Sequence, residues 1–205
     1  PGGFVLAEVP DLVVYLHGFR SSPSSVKAQK VCADFESAGL SARLWVPQLS
    51  ASPAEVMSEL TREIDKRLDS HSGMSLGLIG SSLGGYYATV LAERYAQSRV
   101  LLLNPAVQPY NDLHDQTGRQ KVYFSNEEIE FLPAYLSDLK DMEPVELVNL
   151  SRYCVVGATG DEVLDFDQMM ARYPQAHQVR IEGSDHALSE FDQIWPIART
   201  FMGLK

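Results

Sequence analysis

The sequence predicts an α/β fold with a mostly parallel, doubly wound sheet of about six strands. Short apolar runs alternate along the chain with longer stretches of helical periodicity. The apolar runs are nearly continuous, which indicates strands that helices cover on both faces. The length of 205 residues and the hydrophobic share of 45% suit a single globular domain over residues 1–205.

The predicted strands and helices follow one another in a regular order. Serine-proline pairs at 22–23 and 52–53 supply an N-cap and a first-turn proline for the first two helices, and Gly39 ends the first. Apolar residues recur at every fourth position from Val56 to Leu68, so the second helix has one apolar face. The predicted elements are strand 12–16, helix 23–38, strand 42–46, helix 53–70, strand 75–79, helix 83–96 and strands 100–103, 153–157 and 177–182.

This alternation stops between residues 105 and 150. Proline interrupts the segment repeatedly, polar residues are frequent, and aromatic residues include Tyr110, Phe124 and Phe131. The segment is too long for a plain connection between two sheet strands, and its aromatic residues argue against a disordered insertion. We therefore expect a helical cap or lid inserted into the domain over about 105–150.

Residues 80–84 read GSSLG, a G-x-S-x-G pattern between a predicted strand and a predicted helix. In a nucleophile elbow, a serine on a sharp strand-to-helix turn presents its hydroxyl at the top of an α/β sheet. Such a strained turn needs small residues on both sides of the serine. Ser82 has glycine at both flanking motif positions, whereas Ser81 would have Ile79 and Leu83 there. Ser82 is therefore the predicted nucleophile.

An acid and a histidine follow in the chain order that α/β-hydrolases use. Strand 153–157 runs into a glycine-flanked turn that carries Asp161, and strand 177–182 runs into a turn that carries His186. Open α/β sheets place their sites just beyond the carboxyl ends of strands. We expect Ser82 to attack an acyl carbon, His186 to take and return its proton, and Asp161 to fix the imidazole tautomer.

Neighbouring residues offer alternatives to this assignment. Glu162 adjoins Asp161, and we expect Glu162 to face away from the site. Asp185 adjoins His186 and could compete for its ring. Three other histidines do not follow a strand in the way that His186 does: His71, His114 and His177.

The loop after the first strand, His17-Gly18-Phe19, is expected to complete the site. The tetrahedral intermediate of acyl transfer needs two backbone N–H donors aimed at its oxyanion. One donor should come from Leu83, the residue after the nucleophile. The other is assigned to Phe19, because Gly18 lets the backbone turn inward. His17 is expected to brace the loop and to take no part in the chemistry.

Longer strings around these residues are more specific than the pentapeptide: YLHGFRSSPSSVKAQ, GSSLGGYYATVLAE, LLNPAVQPY, TGDEVLDF and GSDHAL. In these strings, and over nearly all of the chain from Leu12 onward, the protein resembles the small bacterial YqiA-like esterases of the α/β-hydrolase superfamily. The resemblance implies a minimal hydrolase fold without the usual leading hairpin, activity on short acyl esters or acyl-CoA, and a triad at Ser82, Asp161 and His186. Two features depart from the family: the extension over residues 1–11 and the Ser-Asp pair before the histidine.

Composition excludes several other classes of protein. The net charge of −10 disfavours binding to nucleic acid or to anionic membranes. The chain shows no apolar stretch as long as a membrane span and no signal-peptide pattern, so we expect a cytoplasmic protein that acts on small molecules. Cys32 and Cys154 lack the spacing of a zinc site and are expected to be buried apolar residues. We expect no metal and no cofactor.

The expected function is hydrolysis of a carboxylic ester through an acyl-enzyme. An acyl-CoA thioesterase with the same triad remains open, because the sequence does not distinguish the leaving group. A non-catalytic binding protein with the same fold is a further alternative, which the complete triad disfavours. A nucleotide-binding loop is also disfavoured, because residues 77–85 match neither glycine-rich phosphate-binding pattern. The cap, particularly its stretch 131–136, is expected to frame the acyl pocket.

Overall fold

The computed structural model describes residues 7–70 and 73–205; residues 1–6 of the N-terminal extension and His71 lie outside the described residues. The chain forms, in order, β1 (Leu12–Leu16), α1 (Val26–Ser37), β2 (Leu44–Trp45), α2 (Pro53–Ser70), β3 (Leu76–Ser81), α3 (Leu83–Arg94), β4 (Arg99–Leu103), α4 (Pro109–Asp112), β5 (Gly118–Lys121), β6 (Glu128–Phe131), α5 (Pro133–Asp141), β7 (Tyr153–Ala158), α6 (Phe166–Arg172), β8 (His177–Ile181) and α7 (Phe191–Phe201).

Six parallel strands form the central sheet, in the order β2-β1-β3-β4-β7-β8. Successive side chains of β1 enter two different cores. Val14 packs with residues of α2, α3 and α6 on one face, and Val13 packs with residues of α1 and α7 on the other. The predicted doubly wound parallel sheet is therefore confirmed. Its carboxyl edge gathers the turns that follow β1, β3, β4, β7 and β8.

Several boundaries differ from the prediction for identifiable reasons. Helix α1 begins at Val26 because its N-cap is Ser25, whose hydroxyl accepts a hydrogen bond from the Ala28 N–H. Strand β2 has two residues because a 3-10 turn occupies Ser41–Arg43 and because β2 lies at the sheet edge, where, among the described residues, it pairs with β1 alone. Helices α6 and α7 are additional to the predicted elements; Pro196 inside α7 weakens its helical signal.

The segment between β4 and β7 is partly helical, with α4 and α5, and it also contains an antiparallel hairpin of β5 and β6. The hairpin strands are mostly polar and exposed, so they lack the apolar pattern that would reveal them in the sequence. Helix α5 is fixed to the body of the protein where the Tyr86 hydroxyl donates to the Leu139 carbonyl at 2.5 Å.

Within residues 7–70 and 73–205, no helix combines the length and apolar composition needed to cross a membrane. Cys154 is buried in β7, and burial raises the pKa of its thiol to about 12. Cys32 is half-buried on α1, and both cysteines are free thiols.

Candidate active site

Ser82 occupies the turn between β3 and α3 with φ 56° and ψ −119°, a conformation that costs free energy for a residue other than glycine. The flanking glycines allow this turn because backbone passes where their side chains would be. A Cβ at Gly80 would lie 2.3 Å from the Gly84 carbonyl oxygen, and a Cβ at Gly84 would lie 2.0 Å from the Leu16 carbonyl oxygen. The glycines of the pattern are thus required by the close approach of α3 to β3 and β1.

The structure brings Ser82, Asp161 and His186 together at the carboxyl edge of the sheet. The Nε2 atom of His186 lies 3.0 Å from Ser82 Oγ, and its Nδ1 atom lies 2.7 Å from Asp161 Oδ2. The Asp161 side chain is fully buried, and its Oδ1 atom accepts the backbone N–H groups of Val163 and Leu164, both at 2.8 Å. One carboxylate oxygen is therefore held by the backbone while the other faces the imidazole.

The neighbouring serine has a different environment. Ser81 is the buried last residue of β3, and its side chain lies close enough to Tyr15 to influence the pKa of that phenol. The two adjacent hydroxyls are therefore distinguished by their neighbours: Ser81 is buried near Tyr15, and Ser82 lies against the ring of His186.

The two neighbouring acids contact the backbone around His186. The expectation that Glu162 faces away is wrong, because its Oε2 atom accepts the backbone N–H of His186 at 3.0 Å. Asp185 contacts Ser189 through both carboxylate oxygens, accepting the hydroxyl and the backbone N–H. These bonds hold the pKa of Asp185 below its ordinary value, and the bond from the Ser189 hydroxyl has the larger effect. The carboxylate in contact with the imidazole ring is that of Asp161.

The loop after β1 passes directly beside Ser82. A Cβ at Gly18 would lie 3.3 Å from the Ser82 Cβ, a tight contact, so the absence of a side chain at Gly18 leaves room for Ser82. The ring of His17 is buried, accepts the Leu49 N–H at Nε2 over 3.0 Å and donates from Nδ1 to the Gly18 carbonyl over 2.9 Å. Burial lowers the pKa of His17, which favours a neutral ring that joins two loops.

The two residues assigned to the oxyanion hole belong to the loop after β1 and to the first turn of α3. Phe19 follows Gly18 in this loop and lines the same cleft as Ser82, and Leu83 is the first residue of α3. The Phe19 ring packs edge-on against Phe131 of the insertion, with 5.0 Å between ring centroids. The insertion and the loop beside Ser82 are therefore in direct contact.

Ser82 and His186 open onto a cleft of about 880 Å³. Its outer walls include the serine-rich loop 21–27, the hairpin turn 122–127 and the loop 186–191, and the loop with Gly18 and Phe19 lines it beside Ser82. The hairpin turn presents the exposed rings of Tyr123 and Phe124. The expected stretch 131–136 is not among the described residues that line the cleft. Phe131, at the end of β6, is buried instead, with its ring against Phe19 and Tyr135.

Asn104 is a buried residue of this site that the sequence candidates did not include. It follows β4 with φ 44° and is 1% exposed. Its Nδ2 atom donates to the carbonyl oxygens of Asp185 and His186, both at 3.1 Å, and its Oδ1 atom accepts the Ala158 N–H at 2.8 Å. The sequence signal that could have identified Asn104 is the Asn-Pro pair directly after a buried strand, at the carboxyl edge of the sheet where the other turns lie.

The parallel sheet, the strained serine turn after β3 and the turns after β7 and β8 define an α/β-hydrolase fold. Within this fold, the chain belongs to the Uncharacterised protein family (UPF0227), whose model matches residues 12–202.

Solved structures with a similar fold come from diverse organisms. Est1E from Butyrivibrio proteoclasticus, with ferulic acid bound, has a TM-score of 0.69 at 12% identity over 95% of this chain and 88% of that chain. Mouse alpha/beta hydrolase domain-containing protein 10 has a TM-score of 0.64 at 17% identity, over 92% and 86%. A monoacylglycerol lipase of Paleococcus ferrophilus has a TM-score of 0.62 at 14% identity, over 97% of each chain.

Proposed function

We propose that the protein hydrolyses carboxylic esters through an acyl-enzyme, with Ser82 as nucleophile, His186 as general base and acid, and Asp161 as the residue that orients the imidazole. The observation that carries this proposal is the pair of contacts, 3.0 Å and 2.7 Å, which joins the serine hydroxyl to the ring and the ring to a buried carboxylate. Because the carboxylate accepts the Nδ1 proton, Nε2 is left free to accept the proton of Ser82.

The reaction proceeds in two halves. Ser82 Oγ attacks the ester carbonyl carbon while His186 takes the hydroxyl proton, and the backbone N–H groups of Phe19 and Leu83 stabilise the oxyanion. The intermediate then collapses, and the departing alcohol takes the proton from His186. A water molecule, activated by the same ring, attacks the acyl-enzyme and releases the acid and free Ser82.

An acyl-CoA thioester is the second candidate substrate. The same groups would cleave it, and the cleft of about 880 Å³ lies at the upper end of the size range of small-molecule sites, which leaves room for a large leaving group. A binding protein without catalytic activity would have no need for a strained serine turn aligned with a histidine and a buried carboxylate.

We assign the insertion 105–150 as a cap that contributes to substrate selection. Its hairpin turn forms one wall of the cleft and is attached to the loop that carries Phe19. Arg20 Nε donates to the Lys121 carbonyl at 2.7 Å, its guanidinium lies 4.4 Å from the Tyr123 ring centroid, and its carbonyl accepts the Tyr123 N–H at 2.8 Å. These contacts fix the hairpin relative to the proposed oxyanion hole.

Adjacent serines provide a matched test of the nucleophile. Ser82→Ala should lower kcat on p-nitrophenyl esters on the order of 10⁴-fold or more, whereas Ser81→Ala should retain most of the activity. A fluorophosphonate probe should label Ser82, as mapped by peptide mass spectrometry. Labelling of Ser81, or full activity in Ser82→Ala, would overturn the proposal.

Kinetic measurements on the wild-type protein distinguish the two candidate substrate classes, esters and thioesters. Esters of graded acyl length and acyl-CoAs of the same acyl groups are compared by kcat/KM. A higher kcat/KM for the thioesters at every acyl length would favour the second candidate, and the reverse order would favour the first.

A further inference from the structure

We infer that Asn104 and Glu162 are positioning residues for His186, which they hold by its backbone. This inference rests on the proposed triad. The His186 N–H donates to Glu162 Oε2 at 3.0 Å, and the His186 carbonyl accepts from Asn104 Nδ2 at 3.1 Å. Both polar backbone groups of this residue are thus bound by side chains from other strand ends.

The amide of Asn104 also connects the loops that carry the acid and the base. Its two N–H donors reach the carbonyls of Asp185 and His186, beyond β8, and its oxygen accepts the N–H of Ala158, the last residue of β7. The three partners determine the orientation of the amide, because carbonyls need a donor and an N–H needs an acceptor. One buried group therefore holds the two turns at a set distance from each other.

The position of β8 explains why such support is needed. Within the part of the chain that the structure describes, β8 is an edge strand paired with β7 alone, so the loop after it has a neighbouring strand end on one side. The contact of 3.0 Å between His186 Nε2 and Ser82 Oγ depends on where this loop lies. A displacement of about 1 Å at a reacting group is enough to cost about 100-fold in rate.

The two residues differ in burial, so they allow different tests. Glu162 is exposed, and its removal leaves the core unchanged. Glu162→Ala should lower kcat on a p-nitrophenyl ester by roughly 10-fold to 100-fold with KM within about twofold. Glu162→Gln should restore kcat, because an amide oxygen also accepts an N–H. Glu182→Ala is the control, since Glu182 is an exposed carboxylate at the start of the loop after β8, which carries His186, and it contacts Thr159 and Arg180.

Asn104→Asp keeps the shape of the side chain and the oxygen that accepts the Ala158 N–H, but it removes the two N–H groups that donate to Asp185 and His186. We expect kcat and the rate of fluorophosphonate labelling to fall by the same factor, roughly 10-fold to 100-fold, with KM within about twofold. Asn104→Ser is a second variant that lacks the two donors. If either variant folds with wild-type kcat, the role of Asn104 is refuted. If neither folds, its role is structural and the inference for Asn104 is overturned.

The outcomes for Glu162 separate this inference from the proposed function. Wild-type kcat in Glu162→Ala, or a loss that Glu162→Gln does not restore, would overturn the role of Glu162 while Ser82→Ala is still inactive. Full activity of Ser82→Ala would instead refute the proposed triad itself. A loss of the same size in Glu182→Ala would show that any change in this loop lowers kcat and would also overturn the inference.

Discussion

Asp161→Asn exchanges one carboxylate oxygen for an amide nitrogen at almost unchanged volume. The Val163 and Leu164 N–H groups, both 2.8 Å from Oδ1, require the amide oxygen to stay where that oxygen is. The new NH₂ group then faces His186 Nδ1, at the position 2.7 Å away that Oδ2 now occupies. Two donors cannot share this contact, so the ring proton should move to Nε2, where it blocks removal of the Ser82 proton.

The expected loss follows from this forced change of tautomer. A serine triad with the wrong imidazole tautomer loses on the order of 10⁴-fold in kcat, which corresponds to about 5.5 kcal/mol of activation free energy. The backbone bonds at Oδ1 are retained, so Tm should stay close to that of the wild type. Asp161→Ala should lose activity and also some stability, because the N–H groups of Val163 and Leu164 lose their acceptor.

The assay is kcat on p-nitrophenyl butyrate together with thermal unfolding of both variants. Glu162→Gln serves as the comparison for the adjacent carboxylate and should stay active. If Asp161→Asn retains kcat within about tenfold of wild type, or if Glu162→Gln is the damaging change, the reasoning about the tautomer is refuted.

Two further predictions concern the cap and the buried histidine. Tyr123→Ala and Phe124→Ala should change the relative kcat/KM across esters of graded acyl length, with little effect on Tm, because both rings are exposed on the cleft wall. If the ratios of kcat/KM between these esters do not change, the hairpin takes no part in substrate selection. Burial lowers the pKa of His17, so below about pH 6.5 the unfolded chain binds a proton that the native ring does not. The free energy of unfolding should therefore fall with decreasing pH by up to about 1.4 kcal/mol per pH unit, until the pH drops below the pKa of His17 in the native protein. Urea titrations at several pH values should show that this pH dependence is smaller in His17→Gln.

Local sequence was sufficient for most of the central sheet. The predicted ranges of β1 and α2 coincide with the structure, because apolar runs and serine-proline starts act within a few residues. The glycine spacing also singled out Ser82 over Ser81, since a tight turn limits which side chains fit beside it. The weak signals were those of α6, α7 and the polar β5–β6 hairpin, where short length, an internal proline and exposed strands hide the periodicity.

The sequence by itself determined the fold class, the chain order of the candidate site residues and the strand ends that carry them. Only the tertiary structure decided the orientation of neighbouring groups: Asp161 faces the imidazole ring, while Glu162 faces the backbone of the same residue. The role inferred for Asn104 also could not be predicted from the sequence, because its partner His186 lies 82 positions away along the chain. Turn geometry rotates adjacent side chains in different directions, and sheet register brings distant loops together, so neither can be read from local composition.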